Sequence, residues 1–414
     1  MKVIISQGHG KLHMNETAAS LKEKQAGILY ITGWLPKNLS PKFVNAIGSM
    51  LKKGNLYKLL MQRHPKGLTN EEIASCSFSE FLYWGLLFLT KIKIITYDTA
   101  VTTGWVFFGK ATKKYITPST IFHVRSGAGQ GGSIQKAKRM GMVVVADHSI
   151  AHPHSMANYL RPEYEKFNRT FDLDPNTKFS TLILKDCLDA DYIVVNSDFV
   201  KDTFIENGFA KEKIKVVYLG VRNDFFYLKD SWEIKTKEIR LLFTGTFGLR
   251  KGARIIIEAL KILNEKQYNI ILDVVGAKED FKNTNLIDLP LNINFHGPLL
   301  QEQLKKFLQE SDIYVFPTFA EGCARSAMEA MAAGLPVVTT ANCGLPITHG
   351  ESGIIIPVND SNALANGIEL LINTKELRES IGKKAAALVA TNYTWEEYGT
   401  QLIDFYKEIT SKGV

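Results

Sequence analysis

Twice along the chain, short β-branched runs alternate with longer amphipathic segments, and a charged stretch with neither pattern separates the two series. Strands that alternate with helices in this way form parallel sheets with helical crossovers. In the first series we read strands at residues 3–6, 27–32, 92–97, 120–124, 142–146 and 192–196. In the second they fall at 240–243, 270–275, 294–296, 313–316, 337–340 and 353–356. The segment SDFVKDTFIENG predicts a helix with both ends marked, capped by Ser197 and closed by Gly208. The separating stretch, YLKDSWEIKTKEIR, reads as an interdomain linker. The α/β pattern thus predicts two doubly wound domains facing across a cleft. The boundaries are 1–225 for the first domain, 226–238 for the linker, 239–390 for the second, and 391–414 for a terminal helix packing back toward the first. Sheets of this kind bind ligands at the carboxyl ends of their strands, so each wall of the cleft would hold one substrate.

Composition narrows the classes. At 414 residues, 45% hydrophobic and 22% charged, the chain suits two ordinary globular cores. Cys76, Cys187, Cys323 and Cys343 form no C-x-x-C pair, which argues against a zinc site or a disulfide framework and favours a reducing compartment. MKVIISQGHG begins like a strand rather than a signal peptide, and the apolar run FLYWGLLFLT is too short to cross a bilayer. The expected location is cytoplasmic. The net charge of +8 is uneven: no Asp or Glu falls between Lys24 and Glu71, while basic and apolar residues interleave from Trp34 to Lys66. That pattern fits a solvated helix with its apolar side packed inward; it also fits a helix lying on anionic membrane at the inner face, or gripping an acidic substrate. No nucleic-acid-binding motif accompanies it, so no nucleic-acid partner is expected.

The stretch EGCARSAMEAMAAGLPVV carries the chemistry. Glu321 would follow a strand ending at Pro317, Glu329 would lie in the next helix, and Gly334 with Pro336 would stop that helix. Gly322, Cys323 and Ala324 keep the helix N-terminus small, and free N–H groups there suit a phosphate. Carboxylates on either side of an anion cradle need hydroxyl partners, and a nucleotide sugar supplies them on ribose and on sugar. The plainer reading is a surface Glu321 and a Glu329 paired with Arg325.

Set in DIYVFPTFAEG before it and CGLPITHGESGIIIPVND after it, this stretch closely resembles the donor-binding signature of glycosyltransferase family 4, retaining enzymes of the GT-B fold with two Rossmann-like domains. The resemblance continues through LLFTGTFGLRKGARIIIEAL and, more loosely, AKRMGMVVVADHSIAHP. It implies that Glu321 bonds donor-sugar hydroxyls, that Glu329 bonds the ribose, and that the amides from Cys323 to Arg325 hold the distal phosphate. It also implies that Lys251, set among Gly245, Gly248 and Gly252, neutralises the diphosphate. Many members carry arginine where this chain has Thr246, so Arg250 would supply the second cation. Cys323 replaces the family's usual aromatic and is expected to be a packing residue.

On the first-domain side, Gly8, His9, Gly10 and His13 resemble the family's glycine loop beside the transferred sugar and the acceptor, and a plain strand-to-helix turn fits them equally. His148 matches the cleft histidine. Asp147, His152 and His154 crowd the same place but lack the ligand spacing of a metal site. The resemblance therefore implies a metal-independent transferase with no cofactor, a UDP- or GDP-sugar donor and a glycan or lipid-linked acceptor in cell-surface polysaccharide synthesis. The alternative is a non-catalytic protein of the same fold that binds a nucleotide sugar or serves as a partner subunit.

Overall fold

The computed structural model describes residues 1–10, 13–35, 40–50, 56–61, 63–169, 171, 174–234, 238–279 and 292–411. Seven strands form the first sheet: β1 (Lys2–Gly8), β2 (Gly27–Thr32), β3 (Ile73–Ser75), β4 (Ile121–Arg125), β5 (Val143–His148), β6 (Tyr192–Val195) and β7 (Ile214–Val216). Six form the second: β8 (Ile239–Thr244), β9 (Ile270–Val275), β10 (Ile293–Gly297), β11 (Ile313–Phe316), β12 (Val337–Thr340) and β13 (Ile354–Ile356). Their orders are β3-β2-β1-β4-β5-β6-β7 and β10-β9-β8-β11-β12-β13, with every pairing parallel. Both orders reverse direction beside their first strand, so each sheet has a switch-point crevice: between β1 and β4 in one, between β8 and β11 in the other.

Two features of the first domain differ from the pattern reading. Residues 92–97 are not a strand; they join the helices Ser77–Lys91 and Tyr97–Thr112. The run IKIITY is apolar enough for a strand. Lys93, however, takes a positive φ of 59°, and Thr96 caps the second helix by accepting from the Thr99 N–H, so the chain turns there instead of extending. The two edges of the sheet are supplied by β3 and β7, neither of them among the strands read from sequence, because three residues each are too few to show a period.

The linker is tied down. The Tyr227 and Lys229 N–H groups donate to the carbonyls of Ala332 and Ala333, and Trp232 Nε1 donates to the Gly334 carbonyl at 2.7 Å. The helix Pro153–Lys166 precedes the linker in sequence, yet Met156 and Leu160 pack into the core of the second domain. From that helix Glu163 forms a bidentate pair with Arg254 at 2.6 and 2.9 Å, with both side chains buried. The helix Trp395–Ser411 returns to the first sheet, where Leu402, Phe405 and Tyr406 join Val3, Ile5 and Val145. Each such burial contributes about 1.5–3 kcal/mol. Chain segments thus cross between the domains in both directions. Among the described residues no helix is long and apolar enough to cross a membrane.

Candidate active site

The second switch point is built from two short loops. After β8, Gly245 takes φ 120°, the turn Leu249–Lys251 follows, and Gly252 at φ 81° starts the helix Ala253–Glu265. After β11 the chain passes Pro317 and reaches Glu321 before the helix Arg325–Ala333. The loops are laced together: the Arg250 carbonyl accepts from Thr318 Oγ1 and from the Phe319 N–H, both at 3.0 Å. A Cβ on Gly252 would lie 2.1 Å from the Pro317 oxygen, so only glycine allows this approach. Beneath them Tyr314 OH bridges Thr244 Oγ1 (2.8 Å) and Ser326 Oγ (3.0 Å), which fixes the second helix against the end of β8.

This lacing brings three charges together. Arg250 Nη1 lies 2.6 Å and Lys251 Nζ 3.5 Å from Glu321 Oε1. The contacts are Coulombic, because no donor is aligned on Glu321 Oε1: it is buried without a hydrogen bond, and Arg250 Nη1 donates instead to the Ala320 carbonyl at 3.1 Å. The Lys251 ammonium also stands 4.9 Å from the centre of the Phe316 ring, and a Cβ on Gly245 would press to 2.9 Å from it. Glu329, one helix turn past Arg325 and 4.0 Å from its guanidinium, faces a small crevice closed by Leu219–Arg222 of the first half. Burial raises its pKa.

The structure corrects one expectation. The Ala324 N–H donates to the Cys343 carbonyl at 3.1 Å, so it is not free for an anion; of the three amides expected to hold phosphate, those of Cys323 and Arg325 remain. Cys323 is buried, and burial drives its thiol well above the ordinary value, so it is protonated. Thr246 is exposed on the loop. Glu279 packs over Gly248, its Oε1 2.0 Å from where a Cβ would lie, so a larger residue there would displace that carboxylate. Glu279 itself holds Arg169 of the first half at 2.7 Å, and nothing in its sequence context pointed to that role. Gly322 sits at the domain contact: its carbonyl accepts from Ser197 Oγ at 2.6 Å, and a Cβ would lie 2.0 Å from the Ser149 oxygen.

The first switch point is assembled from distant parts. Gly8 and Gly10 adopt φ 87° and 78°, and a Cβ on Gly8 would strike Trp105 at 2.4 Å. His9 is buried in an aromatic box, stacked on Tyr83 at 4.6 Å with Trp105 and Phe108 edge-on, and burial lowers its pKa. His13 Nε2 reaches Asp147 Oδ1 at 2.9 Å, and His123 Nε2 reaches Asp147 Oδ2 at 3.2 Å. His123 Nδ1 contacts the hydroxyl of Tyr406 on the terminal helix. Burial alone would raise the Asp147 carboxyl, but the two imidazoles outweigh it and hold the group well below the ordinary range. Both oxygens of Asp147 are therefore engaged, and His152 caps its own helix by accepting from the His154 N–H.

His148, at the end of β5, bonds Ser126 Oγ through Nδ1 at 2.9 Å, while its buried Nε2 has no partner. Burial, with His152 nearby, lowers its pKa to about 4, so the ring is neutral at pH 7. Arg125, at the end of β4, was missed by the sequence reading because a lone arginine before a glycine-rich loop carries no pattern. Its guanidinium lies 4.7 Å from the centre of the Trp105 ring.

Comparison with known proteins fits this geometry. Residues 224–388 match the family of glycosyl transferases group 1. A capsular polysaccharide biosynthesis glycosyltransferase of Staphylococcus aureus is 31% identical over 53% of this chain and 63% of its own length. An amylovoran biosynthesis glycosyltransferase of Erwinia amylovora is 34% identical over 39% of this chain and 42% of its own. These matches thus span less than two thirds of the relatives' lengths. Among solved structures, a sucrose-phosphate synthase of Thermosynechococcus elongatus superposes with a TM-score of 0.68 at 16% identity, covering 100% of both chains. An Anabaena protein in complex with UDP superposes with a TM-score of 0.61 at 15% identity, covering 99% of this chain and 100% of that one. The chain has the GT-B fold, and its residues 224–388 match the family of glycosyl transferases group 1.

Proposed function

We propose that the protein is a retaining glycosyltransferase of family 4 that moves a sugar from a UDP- or GDP-sugar to a hydroxyl of a glycan or lipid-linked acceptor in cell-surface polysaccharide synthesis. One observation carries the reading: Lys251 and Arg250 converge on Glu321, whose Oε1 is buried without a hydrogen-bond donor, at the switch point where such sheets bind ligands. A sugar hydroxyl supplies the missing donor, and a diphosphate competes for the two cations that the carboxylate now holds.

In the transfer, the bond from the anomeric carbon to phosphate breaks and that carbon becomes oxocarbenium-like. The acceptor oxygen forms the new bond on the same face and its proton passes to the departing phosphate oxygen. Charge grows on the diphosphate, where Lys251, Arg250 and the N–H groups of Cys323 and Arg325 stabilise it, without a metal in this reading. Glu329 takes the ribose. Gly245, Thr246 and Gly248 shape the loop over the phosphates, and Gly322 and Ala324 admit the donor at the helix start. Neutral His148 orients the sugar or the acceptor, and Gly8, His9, Gly10 and His13 shape the opposite wall. Polysaccharide synthesis is supported by the two biosynthetic relatives, and UDP by the Anabaena complex. To test this, UDP-, GDP- and ADP-sugars are screened for hydrolysis by the purified protein, and the anomeric configuration of the product is read by NMR. One hydrolysed donor with retained configuration supports the reading; inversion refutes retention. Binding without any turnover favours the non-catalytic alternative, for which exposed Thr246 in place of arginine speaks.

The same reading places the protein at the inner face of an anionic membrane. Part of the stretch from Trp34 to Lys66, including Lys37, Lys52 and Lys53, lies outside the described residues. Its described end meets an apolar stripe on the helix Ser77–Lys91, where Phe78, Phe81, Trp84 and Phe88 are 72%, 50%, 42% and 60% exposed. Trp34 touches Phe81 and Trp84, with Arg63 over its ring at 5.8 Å. The helix's one carboxylate, Glu80, is turned inward onto Arg63, and its end carries Lys91 and then Lys93. Aromatic side chains ringed by cations suit a bilayer interface. Sedimentation with phosphatidylglycerol vesicles at low salt should retain the wild type and release Phe81→Glu/Trp84→Glu; a wild type that stays in solution removes the membrane from the account.

A further inference from the structure

Among the described residues Arg125 makes no ion pair and no hydrogen bond from its side chain, although it is half-buried at the first switch point. Trp105 covers one face of its guanidinium, which leaves the N–H edge as the part able to bind. Asp147, opposite it on β5, is the carboxylate that bears on its charge, and both Asp147 oxygens are already engaged by His13 and His123. Burial lowers the Arg125 pKa to about 10. The loop that follows, SGAGQGG, resembles a backbone cradle for an anion, but its first four amides are spent: those of Ser126 and Ala128 donate to the Asp147 and Arg125 carbonyls at 2.9 Å, and those of Gly127 and Gly129 to Asp186 Oδ2 at 2.7 Å. Gln130 Nε2 donates to the other oxygen of Asp186 at 2.7 Å. Gly109 and Gly131 pack the loop so closely on the helix Tyr97–Thr112 that a Cβ on either would lie within 2.3 Å of backbone oxygen. The loop is therefore a rigid mount for Arg125. Beside it, Ser126 holds His148 with its Nε2 unpartnered, and His9 Nδ1 is likewise buried without a partner.

We propose that Arg125 is the anion subsite of the acceptor wall, binding a phosphate or carboxylate of the acceptor through the free edge of its guanidinium. A planar fork stacked on an aromatic ring binds such oxyanions in a bidentate manner and excludes neutral glycans from the same position. With the anion held at the end of β4, the acceptor hydroxyl faces His148 at the end of the neighbouring β5. Arg125 acts in specificity and positioning, and does not touch the reacting atoms. The assignment of this wall to an acceptor rests on the transferase reading; the presence of an anion site at Arg125 does not.

The test uses the wild-type full chain and needs no donor. Phenylglyoxal modification of Arg125 is followed by peptide mass mapping in inorganic phosphate and in chloride of equal ionic strength. Phosphate at about ten times its dissociation constant should slow modification of Arg125 about tenfold. Equal rates in phosphate and chloride, with no protection by glucose 6-phosphate or by phosphatidate vesicles, overturn the proposal. Protection by glucose 6-phosphate supports it with a soluble acceptor, and protection by the vesicles supports it with a lipid-borne one. Once an acceptor is known, Arg125→Met should raise its KM about tenfold or more with kcat nearly unchanged, and Arg125→Lys should restore part of it. A fall in kcat at unchanged KM would overturn the positioning role. Failure of donor hydrolysis in the wild type refutes the transferase reading and leaves the phosphate result standing.

Discussion

The two switch points have the same strand order and are built in opposite ways. In the second domain the loops after β8 and β11 bring Arg250, Lys251 and Glu321 together, and Lys251 and Glu321 each stand next to a glycine of their loop, with Arg250 one residue further. In the first domain His13 meets Asp147 across 134 residues, His123 meets Tyr406 across 283, and the aromatic box around His9 comes from two later helices. A site whose chemistry is confined to two turns can be carried as a unit from one protein to another. One assembled from remote elements changes whenever any of those elements changes. This matches the comparisons, since the group 1 family covers residues 224–388 and leaves the first sheet outside.

The comparison is sharpened first at Lys251. If the second wall does the electrostatic work, Lys251→Ala should reduce donor turnover by about 10²- to 10³-fold, as removal of one such stabilising group does elsewhere, with the fold intact by circular dichroism. A loss under tenfold would move the work to Arg250 or to the first wall.

Next comes the joint between the walls. Glu163→Ala leaves buried Arg254 with Glu258 as its remaining acidic partner. Calorimetry should show a loss of about 3 kcal/mol, the low end for breaking a buried pair. A loss under about 1 kcal/mol would mean that the pair is not what holds the halves together.

The first wall should then show itself in pH. Burial holds His148 near 4, against an ordinary value of 6.5, so below pH 6.5 the unfolded chain binds a proton that the folded chain refuses. Stability from this group is complete above pH 6.5 and falls as the pH drops to about 4, by up to about 3 kcal/mol. Thermal unfolding of His148→Phe across this window should show a shallower fall. Some slope should survive in that variant, since burial, with His154 beside it, also lowers His152 to about 4. An unchanged slope would show that His148 titrates normally.

The smallest effect is expected at Cys323. Its protonated, buried thiol does no chemistry in this account, so Cys323→Ala should keep turnover within about twofold and cost about 1 kcal/mol of stability. A loss of turnover beyond tenfold would give the thiol a role.

Legibility in the sequence follows the same division. The strand Ile313–Phe316 begins and ends where its apolar run does, because a strand buried on both faces leaves an uninterrupted signal, and the bounds read for Ile270–Val275 and Val337–Thr340 also match despite Asp273 and the two threonines. Ser197 does accept from the Val200 N–H, and Gly334 does take a positive φ of 87°, since caps and stops are decided by local backbone needs. Residues 92–97 were misread because a short, mostly apolar run suits a strand or a turn between helices, and Thr96 decided for the helix. Arg125, Glu279 and the pairing of Glu163 with Arg254 could not be found at all. Their meaning lies in which side chains end up facing them, and in Arg125's case in Trp105 covering one face with no ion-pair partner among the described residues.

The most direct measurement is thermal unfolding of the wild type, Lys251→Ala and Arg125→Met with and without UDP. At about a hundred times its dissociation constant, UDP should stabilise the wild type and Arg125→Met by about 2.7 kcal/mol. Lys251→Ala should gain almost nothing, because in the proposed reading the diphosphate rests on that side chain. If Lys251→Ala were stabilised as strongly as the wild type, the donor would not lie at the switch point of β8 and β11, and the account would be wrong at its centre.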